Sequence, residues 1–309
     1  MTPTKVKIGS RKSRLALWQT HYIARLLEEA HDGLDVEVVT MDTLGDKVLD
    51  KSLPEIGGKG LFTAELEQAL LADQVDLAVH SLKDLPTDLP EGLKYAGSPE
   101  RGTATDSLIS EKWSGLAELP EDAVIATGSL RRRAELLARH PQFEFRDLRG
   151  NIGTRLDKLK KHGFDAIVMA TVALERLEMA DTVTCELDPD LYVPAVGQGA
   201  VGVEIREGRP DIEELLAPIF DTDTVEAVTA ERIVMNRLEG GCSVPLGAHC
   251  RLADAPETEG KWRLQAWAGS PDGRRTLDET LTGDDAAVMA EELAELLIDK
   301  GARDVLDNE

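Results

Sequence analysis

A chain of 309 residues is too long for one compact core and implies two or three domains. Its formal net charge of −23, from 58 acidic against 35 basic residues, excludes a general nucleic-acid binder, which leans the other way. With 42% hydrophobic residues, no apolar run of membrane-spanning length and no signal-peptide core at the start, the sequence predicts a globular cytoplasmic protein that is not membrane-bound.

In the N-terminal third the apolar pattern alternates between strand and helix. Residues 5–8 predict a strand, and residues 13–30 a helix with Leu15, Trp18, Tyr22 and Leu26 at helical spacing. Residues 35–41 predict a second strand, 42–58 a long polar loop, 60–71 a helix and 75–79 a short buried strand. This βαβ rhythm implies a mostly parallel sheet with helices on its faces. The pattern breaks around 98–106, a crossover into a second domain. There the rhythm repeats: strand 124–127, helix 129–139, strand 143–148, helix 151–162 and strand 166–169. Residues 194–199 read as a second Gly/Pro hinge, and strand 201–205 as a return to the first domain. Two crossovers predict a hinged clamshell with a cleft. From 221 onward a helix at 225–238, a loop, antiparallel strands at 251–252, 262–268 and 275–281, and a helix at 285–300 form a small α+β unit. The expected domains are therefore 1–99 with 200–220, 100–199, and 221–309.

The acids are spread along the chain, as a solvated acidic surface requires, and adaptation to high salt would explain them. The minority basic residues cluster at three strand-to-helix turns: Ser10-Arg11-Lys12-Ser13-Arg14, Thr127-Gly128-Ser129-Leu130-Arg131-Arg132-Arg133, and Arg149-Gly150-Asn151-Ile152-Gly153-Thr154-Arg155. The positive end of a helix dipole disfavours a cation by roughly 0.3–1 kcal/mol. Free helix amides and bidentate arginine both favour anions. In doubly wound sheets such turns gather at the carboxyl ends of strands, where ligands bind. Surface ion pairing would explain any one of the turns; three in an acidic protein point to a polyanionic ligand.

His80-Ser81-Leu82-Lys83-Asp84 follows the strand at 75–79 and lies shortly before Pro86. Asp84 is thereby a candidate acid/base or cation stabiliser, with an ordinary turn aspartate as the plainer alternative. Lys83 is expected to point elsewhere in an extended segment, and His80 to be structural. Gly57-Gly58-Lys59-Gly60 lacks the upstream glycine and following Ser/Thr of a phosphate loop. No nucleophile-elbow serine or HExxH motif is present. The three cysteines, Cys185, Cys242 and Cys250, show no zinc spacing and, in a reducing compartment, predict no disulfide. Cys242, in Gly240-Gly241-Cys242-Ser243-Val244-Pro245, sits on a stretch poor for helix or central strand. Alone, that loop suits a reactive thiol and a structural one equally well.

These segments, in order over nearly the whole chain, resemble the porphobilinogen deaminase family, also called hydroxymethylbilane synthases, of tetrapyrrole (haem-type) biosynthesis. The likeness rests on Ile8–Ser13 with Leu15–Gln19, Gly57–Phe62, Ala78–Pro86, Gly128–Arg132, Leu148–Arg155, Pro194–Gly199 and Leu238–Pro245. It implies two periplasmic-binding-protein-like α/β domains plus a small C-terminal α+β domain, in a monomer. It also implies a dipyrromethane cofactor on Cys242 through a thioether. Porphobilinogen would lose ammonia to give an azafulvenium-type cation, four additions would extend the cofactor, and hydrolysis would release hydroxymethylbilane. By the same resemblance Asp84 would be catalytic. Lys83, Ser129, Arg131, Arg132 and Arg155 would bind cofactor, and Arg11, Ser13, Arg149 and Arg176 substrate. Two departures stand out: Glu55 occupies a loop position where relatives carry lysine, and Ser13-Arg14 replaces a more usual Ser-Pro. The rival is a non-enzymatic solute-binding module of the same two-domain fold; it leaves the third domain and its Gly-Gly-Cys loop unexplained.

Overall fold

The computed structural model describes residues 4–47, 60–239, 244–253 and 260–307. Cys242, Glu55, residues 48–58 of the predicted 42–58 loop and Gly57–Lys59 of the glycine-rich motif lie outside the described residues. The chain divides into two compact units. The first takes Met1–Asp50, Gly57–Gly102 and Gly199–Val225; the second takes Thr103–Gln198 and Glu226–Glu309.

In the first unit β1 (Lys5–Arg11), β2 (Asp35–Met41), β3 (Leu77–Ser81), β4 (Leu93–Gly97) and β10 (Val201–Arg206) form one sheet in the order β2-β1-β3-β10-β4. β1 pairs in parallel with β2 and β3, whereas β10 runs antiparallel to both β3 and β4. One strand is thus reversed in an otherwise parallel sheet. Val6 and Ile8 of β1 are fully buried and share a core with Ile23 and Leu27 of α1 (Arg14–Ala30). Each such side chain contributes roughly 1.5–3 kcal/mol on burial. The inward stripe of α1 is Ala16, Gln19, Thr20, Ile23, Ala24 and Leu27. Of the apolar residues at helical spacing, Tyr22 and Leu26 are half-buried and pack against the same core, whereas Trp18 is exposed. Polar pairs also hold the helix: Thr20 Oγ1 donates to Ser10 Oγ at 2.7 Å, and Gln19 Nε2 to Ser81 Oγ at 2.9 Å. Trp18 stacks on Tyr22 at the outer side. On the opposite face of the sheet α2 (Ala64–Leu71) buries Leu66, Ala69 and Leu70 against Val75, Ala78 and Leu93.

The second unit repeats the pattern with β5 (Asp106–Ile109), β6 (Val124–Ala126), β7 (Glu144–Arg146), β8 (Ala166–Ala170) and β9 (Cys185–Glu186), ordered β7-β6-β8-β5-β9. β6 is parallel to β7 and β8, and β5 is antiparallel to its neighbours. In each sheet the reversed strand is the first to follow a crossover. The helices are α3 (Leu130–Arg139), α4 (Ile152–His162) and α5 (Thr171–Arg176); α6 (Pro210–Leu216) belongs to the first unit. A third, antiparallel sheet of β11 (Leu246–Leu252), β12 (Trp262–Gly269) and β13 (Thr276–Gly283) completes the second unit. Its core joins α7 (Thr222–Arg237), α8 (Ala286–Asp299) and α9 (Ala302–Leu306) through Ala230, Val234, Leu264, Leu293 and Leu297. Trp267 of β12 packs with Ala134 of α3 and with Val193. Glu231 of α7, fully buried, accepts from Gly197 N at 2.7 Å and from Cys250 N at 2.8 Å, so it pins the second crossover and β11 to one helix. Only glycine fits at 247, where a Cβ would lie 2.6 Å from the Val193 carbonyl oxygen.

Candidate functional site

In the first unit the site residues leave adjacent parallel strands at their carboxyl ends, where ligands gather in such sheets. Ser13 caps α1, its Oγ accepting from Ala16 N at 3.2 Å. The Arg11 guanidinium carbon lies 4.4 Å from the Phe62 ring centre, a cation–π contact. β3 runs on to Ser81 because His80 and Ser81 pair with Gly202 and Val201. His80 is structural as expected: its Nε2 lies 3.0 Å from Glu204 Oε2, both side chains buried. The next residues differ from expectation. Leu82–Asp84 is a turn of 3₁₀ helix rather than an extended segment. Leu82 and Leu85 are buried and clamp it, with Leu82 N bonded to Ala200 O at 3.1 Å and Leu85 N to Leu82 O at 3.0 Å. Lys83 and Asp84 are therefore neighbours on one tight turn, both half-buried.

In the second unit three parallel strands deliver the remaining residues. After β6 the chain turns through Gly128, where a Cβ would meet the Leu148 carbonyl oxygen at 2.7 Å. Ser129 then caps α3, its Oγ accepting from Arg132 N at 3.4 Å. After β7, Asn151 caps α4 by accepting from Thr154 N at 2.9 Å, and Arg155 Nε donates to Gly150 O at 2.7 Å. Arg149 is half-buried; burial pulls its guanidinium down, and Asp147 offsets only part of that. After β8, α5 ends on Arg176, which is buried. Its helix escaped sequence patterning, so Arg176 was found only through the family resemblance.

Arg131 and Arg132 turn inward while Arg133 is exposed. Arg131 Nη2 donates to Asp106 Oδ2 at 2.6 Å, and its Nη1 to Glu135 Oε2 and Val193 O, both at 2.7 Å. Arg132 Nη2 donates to Asp106 Oδ1 at 2.7 Å. The unfavourable placement of these two cations at a helix start is thus met first from inside the chain. Burial pulls the Asp106 carboxyl up, but the two arginine charges together outweigh it and hold it well below the carboxylate range. Glu135 goes the other way. Burial pushes it up to about 8, more than the neighbouring Arg131 charge draws it down, and the Asp106 charge adds to the rise. The two guanidiniums thus meet two buried carboxyl groups of opposite tendency, Asp106 held down by both arginines and Glu135 pushed up by burial.

Glu135 makes stability depend on pH with a definite sign. Its folded pKa is raised from 4.5 to about 8, so its contribution is fully present below about 4.5. As pH rises, the unfolded chain releases the proton and the folded chain keeps it, and the contribution is gone above about 8. Glu135→Gln should therefore melt with its parent near pH 4.5 and above it at pH 8.5. The gap should be on the order of a few kcal/mol, given about 1.4 kcal/mol per pKa unit. Melts that stay parallel across this range would show that Glu135 is ionised in the fold.

Sequence reasoning missed Asp106, Glu135, Gln198 and Glu231, all buried polar residues inside or beside apolar runs. Gln198 lies in the Gly/Pro hinge that was singled out for its backbone alone. Among the described residues no group of His, Cys, Asp and Glu could hold a metal ion. No described helix is long and apolar enough to cross a membrane.

Residues 6–214 match the family model for the porphobilinogen deaminase dipyromethane cofactor binding domain, and residues 225–299 that for the porphobilinogen deaminase C-terminal domain. Similar curated proteins include the porphobilinogen deaminase of Halalkalibacterium halodurans, 45% identical over 98% of this chain and 96% of its own length. That of Chromobacterium violaceum is 46% identical over 98% and 97%, and that of Staphylococcus carnosus 39% identical over the same shares. Among solved structures, the methionine binding protein MetQ aligns with 74% of this chain and 95% of its own at 16% identity and a TM-score of 0.46. The periplasmic VFT2 domain of Bordetella pertussis BvgS aligns over 73% and 92%, at 15% identity and a TM-score of 0.43.

Proposed function

Because the chain belongs to the porphobilinogen deaminase family, we propose that Asp84, the arginine-bearing turns and Cys242 carry the family's reaction here. The enzyme is a transferase of tetrapyrrole biosynthesis: it deaminates four porphobilinogen molecules, joins them head to tail and releases hydroxymethylbilane. It has the family's dipyrromethane cofactor binding domain. A solute-binding role without catalysis is set aside by that membership.

The observation that carries the site reading is the Arg131–Arg132 cluster. Two buried guanidiniums share the Asp106 carboxylate, and among the described residues the Nε of each has no hydrogen-bond partner. Unmet donors on two buried guanidiniums fit a ligand bearing carboxylates, as each pyrrole does through its acetate and propionate. Lys83, Ser129, Arg131, Arg132 and Arg155 would hold the cofactor, and Cys242 would anchor it through a thioether. When bound, the cofactor supplies the nucleophilic pyrrole carbon to which substrate is joined. Arg11, Ser13, Arg149 and Arg176 would grip the substrate carboxylates. Asp84 would accept from pyrrole N–H and stabilise the positive charge that develops as ammonia leaves. The three domains at 1–99 with 200–220, 100–199 and 221–309 are part of the same reading, supported by three separate sheets. So are a cytoplasmic monomer and a salt-adapted acidic surface. The direct test incubates purified protein with porphobilinogen, which should yield one hydroxymethylbilane and four ammonia for every four molecules consumed. Consumption without that stoichiometry would refute the assignment.

The arginines should divide in role. Losing a charge-assisted hydrogen bond removes roughly 1.5–3 kcal/mol. Substituting Arg131, Arg132 or Arg155 should leave protein without cofactor. Substituting Arg11 or Arg149 should instead leave cofactor in place and let partly extended enzyme-bound chains accumulate. Mass spectra showing the same species in all five variants would contradict the division.

A charge of −23 implies repulsion within the folded chain. The screening length falls from about 8 Å at 0.15 M salt to about 3 Å at 1 M. Added KCl should therefore raise the melting temperature, and activity should rise before it levels or falls as substrate binding is screened. A flat or falling melting temperature would mean that the acidic surplus is not a salt adaptation.

A further inference from the structure

We propose that Asp106 and Gln198 are positioning residues that hold Arg131 and Arg132 in a ligand-ready geometry. This rests on the reading that those arginines hold the cofactor carboxylates.

Asp106 opens β5 with 1% of its surface exposed, and each of its oxygens serves a different arginine: Oδ2 takes Arg131 at 2.6 Å and Oδ1 takes Arg132 at 2.7 Å. Gln198, fully buried in the second crossover, completes the clamp. Its Nε2 lies 2.8 Å from Asp106 Oδ1, 2.6 Å from Ala104 O and 3.2 Å from Thr105 O, and its Oε1 accepts from Arg132 Nη2 at 3.3 Å. One amide therefore fixes the start of β5, the carboxylate on it and one of the guanidiniums. Val168 O, 3.3 Å from Arg132 Nη1, adds a further stop from β8. A free arginine side chain loses much rotamer freedom when a ligand captures it, whereas one already anchored does not. The Asp106 carboxylate bonds to both guanidiniums, so a neutral acceptor in its place would remove the counter-charge that two buried cations share. A Gln198 lacking its amide would leave the Asp106 charge intact but free to shift.

Four variants test this in full-length protein, with the cofactor-loaded fraction read by intact mass and stability by thermal melting. Arg132→Leu is the reference for loss of the arginine, and Ile125→Val trims a fully buried core residue of the same sheet. Asp106→Asn should lower the loaded fraction at least about tenfold, the size expected when a charge-assisted bond is lost. Gln198→Met should lower loading by a smaller factor, and Ile125→Val should load fully despite a lower melting temperature. If Arg132→Leu loses cofactor while Asp106→Asn and Gln198→Met load like the parent, the positioning role is overturned. It is also overturned if Ile125→Val loses as much loading per degree of melting as they do. If Arg132→Leu itself loads fully, the assignment of the arginines to the cofactor fails, and the proposal with it. Should Asp106→Asn give no cooperative melt, Gln198→Met decides alone.

Discussion

Cys242→Ser is expected to yield protein with no covalent dipyrromethane and no measurable turnover. The parent's intact mass should exceed its chain mass by one dipyrromethane unit, and peptide mapping should put the excess on Cys242. A hydroxyl is a far poorer nucleophile than a thiolate, so serine keeps the volume and removes the chemistry. The other two thiols are poor substitutes. Cys250 lies in β11 at 2% exposure, its N–H bonded to Glu231. Cys185 is half-buried, and burial pushes its thiol up, away from the reactive thiolate. Cys242 itself lies outside the described residues, but both of its flanks are placed. Leu238 is buried at the end of α7, and Leu246 N is bonded to Val244 O at 2.9 Å where β11 begins. An unmodified, fully active parent, or an adduct on Cys185 or Cys250, would end the assignment.

Asp84→Asn should slow porphobilinogen turnover by about 10²–10⁴-fold, the range for a positioned proton-handling group. The melt should hardly move. Asp84 is half-buried, and the flanking Leu82 and Leu85 provide the packing of its turn, so an isosteric amide disturbs little of the core. The amide removes the negative charge that would face the developing cation. The cofactor should still be found on Asp84→Asn protein if the carboxylate acts in turnover rather than in anchoring. Near-normal turnover would remove Asp84 from the mechanism.

Much of this was legible from residue order. Turn signals at Ser13, Ser129 and Asn151 predicted helix starts, and each caps the helix that follows it. What patterning missed shares one cause, polar residues that are buried because they have partners. β5 begins Asp106-Ser107, which does not read as a buried strand until Arg131, Arg132 and Thr171 are known to meet it. The apolar spacing of α1 marks Tyr22 and Leu26, which pack on the core, but not Gln19 and Thr20, which are buried on hydrogen bonds. The strand expected at 75–79 runs two residues further, to Ser81, so Lys83 falls on the 3₁₀ turn after it and not in an extended segment. β9 and α5 are too short to show a period. Arginine-rich turns did mark the ends of β6 and β7, but sequence alone does not say that two of the arginines point at a carboxylate 25 and 26 residues earlier in the chain.

The reversed strand of the first sheet has a consequence for how the chain is made. β10 sits between β3 and β4, yet it is synthesised about a hundred residues after them. The second sheet is fully encoded by Glu186, before β10 exists. On the ribosome, the sheet begun first is therefore finished last, and its gap stays open with β3 and β4 each presenting an unpaired edge. A chain stalled before Val201 should hold a folded second sheet and a sticky, chaperone-dependent first one.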